Sequence, residues 1–191
     1  MPALLPNSRD ARKARRWLVA VLLAILLGGL ALWLVPRFSA DPETIIFVIR
    51  HGEKSPAPSK DPPLAPAGEA RAQELVHVLR SANIQKIYAS EFQRTQQTVR
   101  PLAAALSLTV DTSFIGKDLT ALAGDILQNH PGQTVLVAHH SNTVPQLIAL
   151  LGGGVIPPID EATEFDRLYI VHHRQSGVTV TRMKYGAAAS L

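Results

Sequence analysis

Arg50-His51-Gly52 closes a short apolar, β-branched run over residues 44–49 and brings a guanidinium and an imidazole to one chain reversal. A guanidinium fork holds an anion, and a neutral imidazole beside it can attack one. Gly52 permits a sharp turn and the close approach of a ligand. A second arginine, Arg94, follows Ser90-Glu91-Phe92-Gln93. The capping-box spacing makes Ser90 the N-cap of a helix, with Arg94 and Thr95 in its first turn. Helix N-termini attract anions, so Arg94 reads there as a second phosphate clamp. His139-His140 close another apolar run, 134–138. Two arginines and two histidines suit a phosphoryl group. The guanidiniums neutralise its oxygens as a metal does elsewhere, and a histidine becomes the nucleophile. The plainer readings are a strand end with two solvated polar residues and a helix arginine at the surface.

A metal site at His139-His140 or His172-His173 is the rival. Neighbouring strand residues point to opposite faces, so each pair offers one ligand per site at most. Few of the acids have ligand spacing, so no metal and no cofactor are expected. The sequence holds no cysteine, which rules out disulfides, thiolate catalysis and Cys-ligated zinc.

These residues need strands and helices to position them. The run 44–49 reads as a buried strand, and 84–89 and 134–138 as two more. Residues 54–66 hold five prolines and read as a pocket-rim loop. Helices are expected over 67–81, from Ser90 onward with a kink or end at Pro101, over 118–129, and over 143–151. Two closing strands, 168–173 and 178–184, flank Gln175-Ser176-Gly177. The expected fold is α/β: a three-layer sandwich with a mostly parallel central sheet, helices on both faces, and one N-terminal transmembrane helix before it. In such a sheet the strand ends carrying Arg50-His51, Ser90 and His139-His140 share one edge, where ligands bind.

Residues 17–35 carry no charge. As a helix they span about 28 Å, near the thickness of a bilayer's hydrocarbon. Trp17 and Trp33 sit where interfacial aromatics belong. Residues 1–40 hold six Lys/Arg against one acid, a net of +5, while the remainder holds 13 against 14, a net of −1. The positive-inside rule then puts residues 1–16 in the cytoplasm, the single pass at 17–35, a linker at 36–43, and the domain at 44–185 on the periplasmic or extracellular side. A cleaved signal peptide is the competing reading. The run exceeds the usual apolar core of a signal, and Phe38 sits where cleavage wants a small residue. The near-neutral remainder gives no reason to expect nucleic acid as a partner.

Arg50-His51-Gly52-Glu53, Asp61-Pro62-Pro63-Leu64, Gly68, Tyr88-Ala89-Ser90, Arg94-Thr95, Thr98, Pro101-Leu102-Ala103 and His140-Ser141-Asn142-Thr143 together resemble the histidine phosphatase superfamily, also called phosphoglycerate mutase-like. The resemblance covers about residues 44–185, and is nearest the compact branch that includes SixA-type phosphohistidine phosphatases. It implies that His51 is the phosphorylated nucleophile and that Arg50, Arg94 and His140 bind the phosphoryl group. There are departures. His139 stands where many relatives have glycine, so either His139 or His140 is the second pocket histidine. Ser141 stands where acid-phosphatase-type members have a proton-donating aspartate. No segment matches the glutamate of the mutase-like branch, which leaves Glu53 and Glu91 as nearby possible general acids. The expected activity is hydrolysis of a phosphomonoester or phosphoramidate on a small molecule, glycan or phosphoprotein. The alternatives are a mutase-like phosphotransferase and a non-catalytic phospholigand-binding module.

Overall fold

The computed structural model describes residues 8–34, 41–114, 116 and 118–187. The chain divides into two units, Met1–Ala40 and Asp41–Leu191.

In the first unit Ser8–Leu34 forms a 27-residue helix, α1. Its described apolar side chains, Trp17 and Leu26 among them, are exposed. The run expected to span a membrane, 17–35, lies in part outside the described residues, as do most of the expected linker and the first residues of the basic segment. Among the described residues no helix is long and apolar enough to cross a membrane.

The second unit alternates strand and helix. β1 (Thr44–Arg50), α2 (Pro66–Leu79), β2 (Lys86–Ala89), α3 (Gln93–Leu106), β3 (Val110–Asp111), α4 (Leu119–Asn129), β4 (Thr134–His139), α5 (Thr143–Leu150), β5 (Arg167–Arg174) and β6 (Gly177–Lys184) follow in order. They build one six-stranded sheet in the order β3-β2-β4-β1-β5-β6. β1, β2, β3 and β4 run parallel. β5 is antiparallel to both β1 and β6, so the sheet is mixed, with three of its five ladders parallel. The reason is local: the turn at Gln175-Ser176 folds β6 back on β5 as a hairpin, and β5 returns antiparallel along the free side of β1.

Side chains alternate between two cores, as period-2 patterning requires. Ile46, Val48, Val135, Val137, Tyr169 and Val171 face α4 and α5. Phe47, Ile49, Ile87, Leu136, Ala138 and Leu168 face α2 and α3. The three layers are thus helix pair, sheet, helix pair. Two expectations for α3 differ from what is seen. Ser90 is not its cap; Phe92 holds that position without a side-chain bond. Asp61 Oδ1, on the proline-rich loop, instead accepts the Gln93 N–H at 3.0 Å. Pro101 lies inside α3, which runs through it to Leu106.

The turn after β1 and the start of α2 approach closely. A Cβ on Gly68 would stand 2.3 Å from the Glu53 carbonyl oxygen and 2.9 Å from its nitrogen, both backbone atoms. Gly68→Ala should therefore destabilise the fold by about 1–3 kcal/mol. Urea unfolding measures it, and an unchanged midpoint would show that α2 does not press on this turn.

Candidate active site

β1, β2 and β4 are parallel neighbours, so their C-terminal ends meet. The ladder runs one residue past β1, where the His51 N–H donates to His139 O at 2.9 Å. This fixes His51 against the end of β4. Gly52 is held on both sides of its peptide chemistry. Its N–H donates to Thr98 Oγ1 at 2.9 Å, and its carbonyl accepts from His51 Nδ1 at 2.7 Å. Because Nδ1–H is spent on a carbonyl, the lone pair lies on Nε2. Arg94 Nε donates toward that lone pair at 3.4 Å. The His51 ring is 4% exposed. Burial is the largest cause that brings its pKa from 6.5 to about 3, with Arg50, Arg94 and Lys54 adding to it. The imidazole is thus neutral at ordinary pH.

Of the two adjacent histidines, His140 faces His51, with ring centroids 5.3 Å apart. His140 Nε2 is 3.0 Å from Ser90 Oγ, which is itself 2.8 Å from Thr95 Oγ1. Ser90 therefore orients a pocket histidine instead of capping α3. His139 is turned away: it is buried, and its Nδ1 lies 2.6 Å from Thr143 Oγ1. Burial lowers His140 to about 3 and His139 to about 4.

Arg94 lies in the first turn of α3, as expected. It stacks on Phe92 at 4.4 Å and stands 3.8 Å from Asp61. Arg50 is 1% exposed and lies 3.9 Å over the Phe165 ring. Its Nη1 donates to Asp160 O and Glu164 O at 2.9 and 3.1 Å, and its Nη2 to Glu161 O at 2.7 Å. Three of the five donors of a guanidinium are thus used on one turn of backbone. Its buried Nε has no partner among the described residues. A buried, unpartnered cationic donor is costly, and an oxygen of an anion would satisfy it.

The two carboxyls expected as possible acids have different surroundings. Glu53 forms a bidentate pair with Arg71, 3.0 Å at Nε and 2.6 Å at Nη2. Burial pushes its pKa up, but the Arg71 bonds outweigh burial and hold the carboxyl below its usual range. Glu53 thus spends both carboxyl oxygens on Arg71. Glu91 Oε1 accepts from the Gly116 N–H at 3.2 Å, its Oε2 is buried without a partner among the described residues, and its charge acts on His139 and Arg94.

Arg71 itself was not anticipated. It is 4% exposed and also donates to Tyr185 O and Ala187 O, each at 2.9 Å. Its signal was present in the spacing: Gly68, Arg71, Ala72, Leu75 and Leu79 form the buried stripe of α2, and a charge in phase with such a stripe needs a partner. The turn holding Arg50, and Phe165 beside it, follow a stretch with no periodic pattern and gave no signal.

The family model of the histidine phosphatase superfamily (branch 1) matches residues 46–114. A curated relative, the probable phosphoglycerate mutase GpmB of Yersinia enterocolitica, is 31% identical over 128 residues, 64% of this chain. The match spans 58% of that relative's length. Among solved structures, the protein histidine phosphatase SixA complexed with tungstate has a TM-score of 0.61 at 22% identity, over 73% of this chain and 96% of that one. The mycobacterial glucosyl-3-phosphoglycerate phosphatase has a TM-score of 0.56 at 13% identity, over 76% and 100%. At these identities the structural likeness is one of fold. The chain resembles the histidine phosphatase superfamily.

The depressed histidines tie stability to pH. Unfolded, each takes up a proton below about 6.5; folded, His51 and His140 do so only near 3 and His139 near 4. Their contribution is complete above pH 6.5 and is lost as pH falls toward 4, by up to about 1.4 kcal/mol per pH unit for each histidine. Denaturation at pH 7.5, 6 and 5 should show this decline, and His139→Gln should make it shallower. A stability independent of pH over that range would contradict burial of three neutral imidazoles.

Proposed function

We propose that the chain is a membrane-tethered histidine phosphatase that hydrolyses a phosphomonoester or phosphoramidate through a phospho-His51 intermediate. The observation that carries this reading is the His51 imidazole: buried, neutral, with Nδ1–H spent on Gly52 O and the Nε2 lone pair beside Arg94. A phosphoryl group entering the pocket takes over the Arg94 donor and the free donors of Arg50, and both charges then spread over its oxygens. His140, held by Ser90, adds a hydrogen bond to the same group. Nε2 of His51 attacks phosphorus, and the bond from phosphorus to the leaving oxygen or nitrogen breaks. Water then attacks the phosphohistidine, the P–N bond breaks, and phosphate leaves.

The relatives' names support a phosphate ester or phosphoramidate as the substrate class. A phosphorylated small molecule, a glycan phosphate and a phosphoprotein all fit a compact pocket of this kind. The name of the Yersinia relative also supports a second reading, a mutase that returns the phosphoryl group to its acceptor. The two differ in product: free phosphate for one, an isomerised phosphoglycerate for the other.

The test is phosphate release by the full chain on phosphomonoesters and a phosphohistidine peptide. His51→Ala should abolish turnover, and Arg94→Gln should lower kcat/KM by about 10²–10³-fold. Equal release by wild type and His51→Ala would remove His51 as the nucleophile.

The tether is read from the uncharged run 17–35, its terminal tryptophans and the basic residues before it. The N-terminus then lies in the cytoplasm and the catalytic unit across the membrane. A protease that cannot cross the membrane should degrade residues 41–191 from the outer face of spheroplasts. Protection of that unit until the cells are lysed would reverse the topology.

A further inference from the structure

The reaction proposed above, on which this inference rests, needs a proton at the leaving atom. Displacement in line with Nε2 of His51 drives that atom away from the buried histidine, toward the mouth of the pocket. Two rim segments meet at the mouth. Lys54, three residues past His51, and Glu161, on the turn that holds Arg50, form an ion pair at 3.4 Å with both side chains largely exposed.

The acids whose charge reaches the two arginines are few. Glu161, Asp160, Glu53 and Glu164 act on Arg50; Asp61, Glu161 and Glu91 act on Arg94. Glu161 acts on both arginines. The others are held by bonds or by burial. Glu53 pairs with Arg71. Asp160 Oδ1 accepts the N–H groups of Ala162 and Thr163. Glu164 holds the Asp160 N–H and pairs with Arg167. Asp61 holds the Gln93 N–H; Glu91 Oε1 holds the Gly116 N–H, and its Oε2 is buried, away from the bulk water that must recharge an acid. Glu161 has no such backbone bond. Its carboxylate meets a lysine in solvent, while its own carbonyl is anchored by Arg50 Nη2 at 2.7 Å. The backbone beneath the carboxylate is therefore fixed, and the carboxylate itself is open to bulk water.

We propose that Glu161 is the general acid of the first half-reaction and the general base of the second. As Nε2 of His51 bonds to phosphorus, the electron pair of the breaking bond goes to the leaving atom, which takes the Glu161 proton. The Glu161 carboxylate then takes a proton from the water that attacks the phosphohistidine, and the P–N electron pair returns to His51. Lys54 orients the carboxylate in the free protein.

A leaving-group series tests this with the full chain. Wild type, Glu161→Gln, Glu161→Asp and Asp61→Asn are compared on 4-nitrophenyl phosphate, phenyl phosphate and an alkyl phosphate. The 4-nitrophenolate departs without a proton, whereas the alkoxide needs one. The loss in kcat/KM caused by Glu161→Gln should be larger on the alkyl ester than on the 4-nitrophenyl ester by about 10²-fold or more, with Glu161→Asp in between. Equal losses across the series, no loss, or a graded loss in Asp61→Asn in place of Glu161→Gln would overturn the assignment and leave the phosphatase reading intact. Absence of His51-dependent turnover in wild type on every ester would overturn both.

Discussion

The peptide of Gly52 is the constraint on which the rest of the site depends. Thr98 takes its N–H, and its carbonyl takes the Nδ1–H of His51. One small residue thus sets the tautomer of the imidazole and its orientation together. The next residue tightens the arrangement from below. Glu53 carries the Arg71 clamp on its carboxylate and the Ala65 N–H on its carbonyl. Gly68 lets α2 come close enough for both. The two residues that follow the reactive ring are tied to two different helices, Gly52 to α3 and Glu53 to α2, and neither tie uses Nε2.

The electrostatics follow from burial. Three imidazoles and a guanidinium are packed at one sheet edge, where water cannot solvate their charges. The imidazoles respond by staying neutral, and Arg50 by spending three donors on backbone carbonyls. Carbonyls solvate a cation without cancelling its charge, so Arg50 keeps its field for an incoming anion. The orphan Nε–H is the complementary sign: a polar group left without a partner in the free protein, in a place where a ligand could supply one. Acids ring this cationic floor without occupying it. The committed carboxylates hold backbone N–H groups, Arg71 or Arg167, and so build the walls of the pocket.

Much of this was legible in the sequence because it rests on local patterns. The runs ending at Arg50, Ala89 and His139 alternate between two faces of a sheet, and their parallel order follows from the helices between them. Convergence of His51, Arg94 and His140 on one edge then follows from topology. Residues at a distance decided what could not be read. Ser90 has the spacing of a cap, but a carboxylate 29 residues earlier in the chain, Asp61, reaches the Gln93 N–H first and frees Ser90 for His140. Pro101 sits in a helix whose packing against the sheet outweighs its local preference. The antiparallel β5 was unreadable because nothing in residues 152–166 states which side of β1 the chain will return to. The same stretch supplies the carbonyls that hold Arg50. Adjacent His139 and His140 look equivalent in the sequence; the strand's alternation separates them, one to Thr143 and one to the pocket.

The proposed reaction places the phosphoryl group on Nε2 of His51 during turnover. Acid-quenching the full chain with a labelled phosphorylated substrate, then mapping the linkage by phosphorus and nitrogen NMR, tests it most directly. Phosphate should appear on His51 through Nε2, because Nδ1 is bonded to Gly52. Phosphate on Nδ1, on His140, or on no histidine while substrate is consumed would contradict it.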